Sequence, residues 1–225
     1  MRLSSGSADL DAFLGGGYES DVITTVYGPG GAGKSNLCLI CTVNIAGTKK
    51  VIFVDTEGNF SVERVKQLAP DYKERLEAIT LFKPTNFDEQ KRVFSKLKGA
   101  ISERVGLIVV DSIAMLYRLE LGKSQKVYEV NKALGLQLAY LTEISRKMNI
   151  PVLLTNQVYS DFDNKDKVNM VGGDILRYGS KCLIELQKYH NNKRKAVLQK
   201  HRSLPEGKDF YFEIAEKGIK KFIPQ

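Results

Sequence analysis

The chain has 225 residues, enough for one large α/β domain with a sizeable buried core. Charged residues make up 27% and only 6 residues are proline, which excludes bulk disorder, and no apolar run approaches the roughly 20 residues of a membrane helix. The net charge of +8 is unevenly spread: residues 188–225 hold ten Lys and Arg against four Asp and Glu, which suits a polyanionic partner or a solvated basic surface.

No internal repeat or linker interrupts residues 1–225, so a single domain is expected. The first residues carry no apolar signal core, which points to the cytoplasm. Residues 22–27 predict a strand and 35–46 a helix. Between them stand Gly28, Pro29, Gly30, Gly31, Ala32, Gly33, Lys34 and Ser35, the spacing of a phosphate-binding P-loop. Its glycines let the backbone curl around a phosphate, and its N–H groups and the helix dipole favour the anion. Lys34 is expected on the β- and γ-phosphates of ATP and Ser35 on Mg2+, with Asn36 next in the site. Cys38 and Cys41 form a C-x-x-C pair within the apolar helix. With two histidines in the whole chain to complete a zinc shell, the pair reads as packing, and three cysteines fit a reducing compartment.

Residues 50–54 predict a strand and 61–68 a short helix. Just past the strand, Glu57 is either a solvated loop carboxylate or a group that polarises water in line with a γ-phosphate. A strand at 79–82, a helix at 87–101 and an apolar strand at 107–110 follow. That last strand ends in Asp111, the Walker B position for Mg2+, and the next residue, Ser112, cannot serve as a carboxylate base. Residues 126–148 predict a long helix with Val127, Val130, Leu134, Leu138, Leu141 and Met148 on one face. The strand 151–155 brings Asn156 and Gln157 to where an amide can touch a γ-phosphate. Segments 118–125 and 158–175 show no periodicity, and both follow C-terminal strand ends, where open α/β sheets bind ligands. Four strands at 182–187, 195–199, 210–214 and 220–223, with a hairpin turn at 191–193, complete the chain. The expected fold is α/β: a mainly parallel twisted sheet flanked by helices, finishing in an antiparallel extension.

These motifs in this order resemble the RecA-like recombinase core, most closely its archaeal and eukaryotic branch. Residues 3–17 are similar to that branch's lead-in to the P-loop. Residues 54–60, followed by Glu63 and Arg64, resemble its catalytic-glutamate segment, and 155–158 its γ-phosphate sensor. Residues 171–176 resemble the end of its second DNA loop, and 204–207 with 216–219 its nucleotide cap. The chain opens at the ATPase core, without the N-terminal helical domain and Phe-x-x-Ala docking motif of full recombinases. In this it looks like the short archaeal paralogues of the RadA recombinase, the RadB branch.

The resemblance implies a recombination and repair accessory protein that binds DNA, hydrolyses ATP slowly with Mg2+ and modulates a RadA-type recombinase. It casts Lys34, Glu57 and Gln157 as catalytic, the last as γ-phosphate sensor, and Ser35 and Asp111 as Mg2+ ligands. Arg64 would stack on adenine, unless it is an ordinary exposed helix arginine, and Pro205 would cover a neighbour's base. Lys200 falls where the family commonly has Asp beside a neighbour's γ-phosphate. It is either a surface lysine or a built-in cation acting across a subunit contact.

The matches to DNA loops are thinner. Residues 159–170 carry Asp161, Asp163 and Asp166 against Lys165 and Lys167, a poor phosphate surface, though Tyr159 and Phe162 can stack on bases. The earlier loop offers Arg118, Lys123 and Lys126 against Glu120. The late basic stretch Lys188, Lys193, Arg194, Lys195 and Arg202 is the other candidate for sequence-independent binding of single- or double-stranded DNA. Autonomous strand exchange and a P-loop kinase for a small substrate are the competing readings.

Overall fold

The structure, a computed structural model, describes residues 1–123, 125–160, 168–190 and 192–224. In chain order the elements are β1 (Arg2–Leu3), α1 (Ala8–Phe13), β2 (Tyr18–Glu19), β3 (Ile23–Tyr27), α2 (Lys34–Ala46), β4 (Lys50–Asp55), α3 (Val62–Leu68), α4 (Tyr72–Glu77) and β5 (Ile79–Phe82). Then come α5 (Phe87–Ala100), β6 (Val105–Asp111), α6 (Met115–Leu121), α7 (Val127–Met148), β7 (Val152–Asn156), β8 (Val158–Ser160), β9 (Val168–Met170) and α8 (Gly173–Gly179). The chain closes with β10 (Cys182–Lys188), β11 (Lys193–Lys200), β12 (Asp209–Ala215) and β13 (Gly218–Lys221).

Nine strands form one sheet in the order β13-β12-β11-β10-β3-β7-β6-β4-β5. Every pairing from β10 to β5 is parallel, and β11, β12 and β13 continue antiparallel, as the sequence predicts. Side chains alternate across the central strands. Val51, Phe53, Leu107 and Val109 join the core beneath α1 and α2, while Ile52, Val54, Ile108 and Val110 join the core beneath α5 and α7. Burial on both faces explains why these strands read as continuous apolar runs. Cys38 and Cys41 are buried in the first core, and burial pushes both thiols well above their usual pKa.

Parallel strands align their C-terminal ends, so Tyr27, Asp55, Asp111 and Asn156 reach one edge of the sheet. α7 buries Val130, Leu134, Leu138 and Leu141 as its periodicity requires, but Val127, in its first turn, is 50% exposed. The segment 118–125 contains the end of α6, and 158–175 contains the antiparallel pair β8–β9 and the start of α8. These elements are too short to repeat a helical or strand period. The charged stretch 161–167, with Phe162, and residue 191 of the expected hairpin turn lie outside the described residues. Among the described residues, no helix is long and apolar enough to cross a membrane.

Candidate nucleotide site

At that sheet edge the P-loop wraps into α2. Gly28 has φ +152° and a Cβ there would fall 2.2 Å from the Leu186 carbonyl oxygen, so only glycine lets the loop leave β3 packed against β10. Gly33, at the N-cap of α2, is left-handed with φ +99° and packs beneath the Ile214 side chain. The Lys34 ammonium lies inside the loop and donates to the carbonyls of Gly28 (2.9 Å) and Pro29 (3.0 Å). Burial lowers its pKa, against the pull of the Glu57 and Asp111 carboxylates.

A cleft of about 440 Å3 opens over the loop. Gly30, Gly31, Gly33, Lys34, Ser35 and Asn36 form its floor, and Glu57, Asn59, Arg64, Gln157 and Ile214 stand on its walls. Asp55 shapes the wall at β4: its Oδ1 accepts from the N–H groups of Gly58 (2.8 Å) and Asn59 (3.0 Å), and its Oδ2 from that of Phe60 (3.1 Å). This turn presents Glu57 to the cleft. Gln157 Nε2 donates to Glu57 Oε1 at 2.9 Å, and Asn59 Nδ2 reaches both Glu57 Oε2 (3.0 Å) and Ser35 Oγ (3.2 Å). Catalytic and sensor candidates from two strands are therefore joined directly.

Asp111 is 1% exposed at the end of β6. Its Oδ1 accepts a short bond from the Thr155 hydroxyl. Its Oδ2 is buried and makes no hydrogen bond of good geometry, although the Ser35 hydroxyl stands near enough to favour the charged form. Burial raises the carboxyl's pKa and the two hydroxyls oppose that shift. A buried carboxylate oxygen left over beside the P-loop serine fits a hard cation that also takes phosphate and water oxygens. The Asp111–Ser112 peptide is cis and is gripped by Thr56, whose hydroxyl accepts from Ser112 N–H and donates to Ser112 O, both at 2.8 Å.

Arg64 stands on the wall of the cleft, but its guanidinium is already occupied. It donates to Asn36 Oδ1, Gln67 Oε1 and the carbonyls of Ala215, Glu216 and Gly218, at 2.7–3.1 Å. It thereby ties α3 to the β12–β13 turn, a contact across 151 residues that its helix position does not reveal.

The remaining candidates lie elsewhere. Pro205 sits in the 201–208 connection, where Leu204 packs by Gly15 at the sheet end opposite the P-loop. Lys200 Nζ donates to the carbonyls of Arg177 and Ser180, both at 2.8 Å, and so caps the end of α8. Arg202 pairs with Glu19 (3.0 Å) and Asp21 (2.8 Å). Lys195 pairs with Asp209 at 3.1 Å, Lys193 lies 4.2 Å over the Phe222 ring, and Arg194 turns onto Asn192. Arg118 and Lys123 are exposed beyond the end of β6, as are Leu119 and Tyr128. The sequence reading assigned no role to Asn59 or Thr155; both lie beside recognised motif residues, and only the folded geometry shows what they touch.

The Rad51 family model matches residues 1–222. A DNA repair and recombination protein RadB of Methanobrevibacter smithii is 43% identical over 221 residues, covering 95% of this chain and 93% of that protein. One of Methanococcus maripaludis is 40% identical over 216 residues, covering 93% of this chain and 96% of that protein. A crystal structure of the RadB recombinase superposes with a TM-score of 0.84 at 40% identity, covering 98% of this chain and 100% of the other. RecA-like geometry at the sheet edge and these likenesses agree, and the chain belongs to the Rad51 family, in its RadB branch.

Proposed function

We propose that this protein is an ATP-binding accessory factor of DNA recombination and repair, which hydrolyses ATP slowly and modulates a RadA-type recombinase in the cytoplasm. The observation that carries this reading is the meeting of Lys34, Ser35, Glu57 and Gln157 on one cleft, with Asp111 buried beneath it. The loop N–H groups and Lys34 would hold the β- and γ-phosphates of ATP. Ser35 and Asp111 Oδ2 would hold Mg2+, which when bound neutralises charge on the phosphate oxygens. Glu57 would orient the attacking water, and its bond from Gln157 would pass the presence of a γ-phosphate toward β8 and the segment beyond.

The nine-stranded sheet runs from Ile23 to Lys221, which supports one RecA-like unit. Because Lys200 and Pro205 stand away from the chain's own P-loop, any action of either on a nucleotide needs a head-to-tail neighbour, either a second copy or the recombinase. DNA would be held without sequence preference. Arg118 and Lys123 are the less encumbered candidates, since Lys195 and Arg202 already have acidic partners.

The test is ATP turnover with and without single-stranded DNA, alone and beside a RadA-type recombinase, with sizing in ATP. Slow turnover that disappears in Lys34→Ala, together with a change in the recombinase's own activity, is the expected result. Unaided strand exchange would make the chain an autonomous recombinase. Phosphoryl transfer to a small acceptor would make it a kinase. Either outcome overturns the accessory reading.

A further inference from the structure

Lys188 lies beside the P-loop, on a strand to which the nucleotide motifs assign nothing. β10 runs parallel to β3 with Glu185 opposite Tyr27, and past that pair Leu186 packs its carbonyl against Gly28. Two residues further, the Lys188 side chain crosses the loop: its Cε and Nζ are each 3.5 Å from where a Cβ on Gly31 would stand. That spacing is ordinary van der Waals contact, so the Lys188 side chain lies directly against the loop. Among the described residues the Lys188 side chain makes no hydrogen bond or ion pair, and it stands close enough to the Lys34 ammonium to help lower that group's pKa. One ammonium inside the anion cradle and a second beside it repel each other until an anion joins them.

We propose that Lys188 is a second phosphate ligand of the nucleotide site, supplied by the same chain, its ammonium engaging the terminal phosphate of a bound nucleoside triphosphate. This rests on the nucleotide-binding reading above. Gly31 belongs to the phosphate-binding loop that floors the cleft, so the Lys188 ammonium stands beside the part of the site where phosphates would lie. Its charge adds to that of Lys34 without needing a neighbouring subunit. It also takes Lys188 out of the basic stretch considered for DNA.

The experiment titrates fluorescent mant-ATP and mant-ADP, with Mg2+, into the wild-type chain and into Lys188→Met, Lys188→Arg and Lys34→Ala. Methionine keeps the stem and removes the charge. Lys188→Met is expected to weaken mant-ATP about tenfold, as for loss of one charge-assisted bond, with less than about a threefold change for mant-ADP. Lys188→Arg is expected to recover most of the loss. Thermal unfolding without nucleotide is expected to be unchanged, because Lys188 is exposed and unpaired. Wild-type affinity in Lys188→Met, or equal losses for the two nucleotides, overturns the assignment. If Lys34→Ala abolishes binding while Lys188→Met is silent, the nucleotide site stands and the Lys188 role falls. If the wild type binds neither nucleotide, both fall.

Discussion

Glu57→Gln separates holding a nucleotide from cleaving it. The carboxylate accepts two amide donors, Gln157 Nε2 at 2.9 Å and Asn59 Nδ2 at 3.0 Å. The substituted amide offers one oxygen and one NH2, so one of those donors must turn its own amide around. Both neighbours stand on an open cleft and are free to do so, which limits the cost to about 1 kcal/mol, roughly fivefold in affinity. The loss of a group that takes up a proton as water attacks is far larger, about a hundredfold to ten-thousandfold in turnover. The assay pairs a mant-ATP titration with single-turnover hydrolysis, so that binding and chemistry are read on one preparation. Turnover at the wild-type rate would refute the role of Glu57. A loss of binding equal to the loss of turnover would show that its part is structural, as an anchor for Gln157 and Asn59.

Three further variants test the placement of other residues. Arg64→Lys replaces a fork of five hydrogen bonds with a point charge and is expected to cost about 1–2 kcal/mol in urea unfolding, discounted for partial exposure; unchanged stability would show that the tie from α3 to the β12–β13 turn is idle. Neutralising Lys193, Arg194 and Lys195 together is expected to flatten the salt dependence of DNA affinity by less than the roughly 0.9 per phosphate contact that three free cations would give, because Lys195 is paired with Asp209; an unchanged slope moves the site toward Arg118 and Lys123. His201 gives a pH signature. Its side chain is 2% exposed, and its Nδ1 accepts from the N–H groups of Ser203 and Leu204, so the ring is held neutral. Burial lowers its pKa from 6.5, against the attraction of Glu19 and with the repulsion of Arg2, Arg202 and Lys208. The unfolded chain then takes up the proton first, so stability is full above about pH 6.5 and falls as the pH drops below it. His201→Gln is expected to remove that slope in urea melts at pH 7 and at about pH 5.5, and a slope that persists assigns it to other groups.

How much was legible in the sequence follows from the range over which each feature is encoded. The P-loop is eight consecutive residues, and its strand and helix flank it directly, so spacing alone announces it. Asp111 was legible because a strand buried on both faces is apolar along its length, so a carboxylate that closes such a run after a P-loop stands out. The antiparallel ending was legible because four strand-like runs follow one another with no helix between them to make a crossover. Among the short helices only α3 was legible. α4, α6 and α8 have six or seven residues, less than two helical turns, and only packing against longer neighbours makes them helices.

Partnerships across the chain were also hidden. Glu57 and Gln157 are 100 residues apart and meet only because β4 and β7 end at the same sheet edge. Arg64 looks like an exposed helix residue until the terminal hairpin folds back over it. Lys188 sits in a basic run whose composition suggests a polyanion surface, but the register of β10 on β3 places it on the P-loop. Arg202 belongs to the same run by sequence and is tied to Glu19 and Asp21 at the opposite sheet edge. Local pattern therefore determined which residues can handle phosphate, because backbone conformation and burial are set over a few neighbouring positions. The tertiary structure alone decided which charges already have partners and which face the site, because strand order and register bring together residues that no short-range spacing relates.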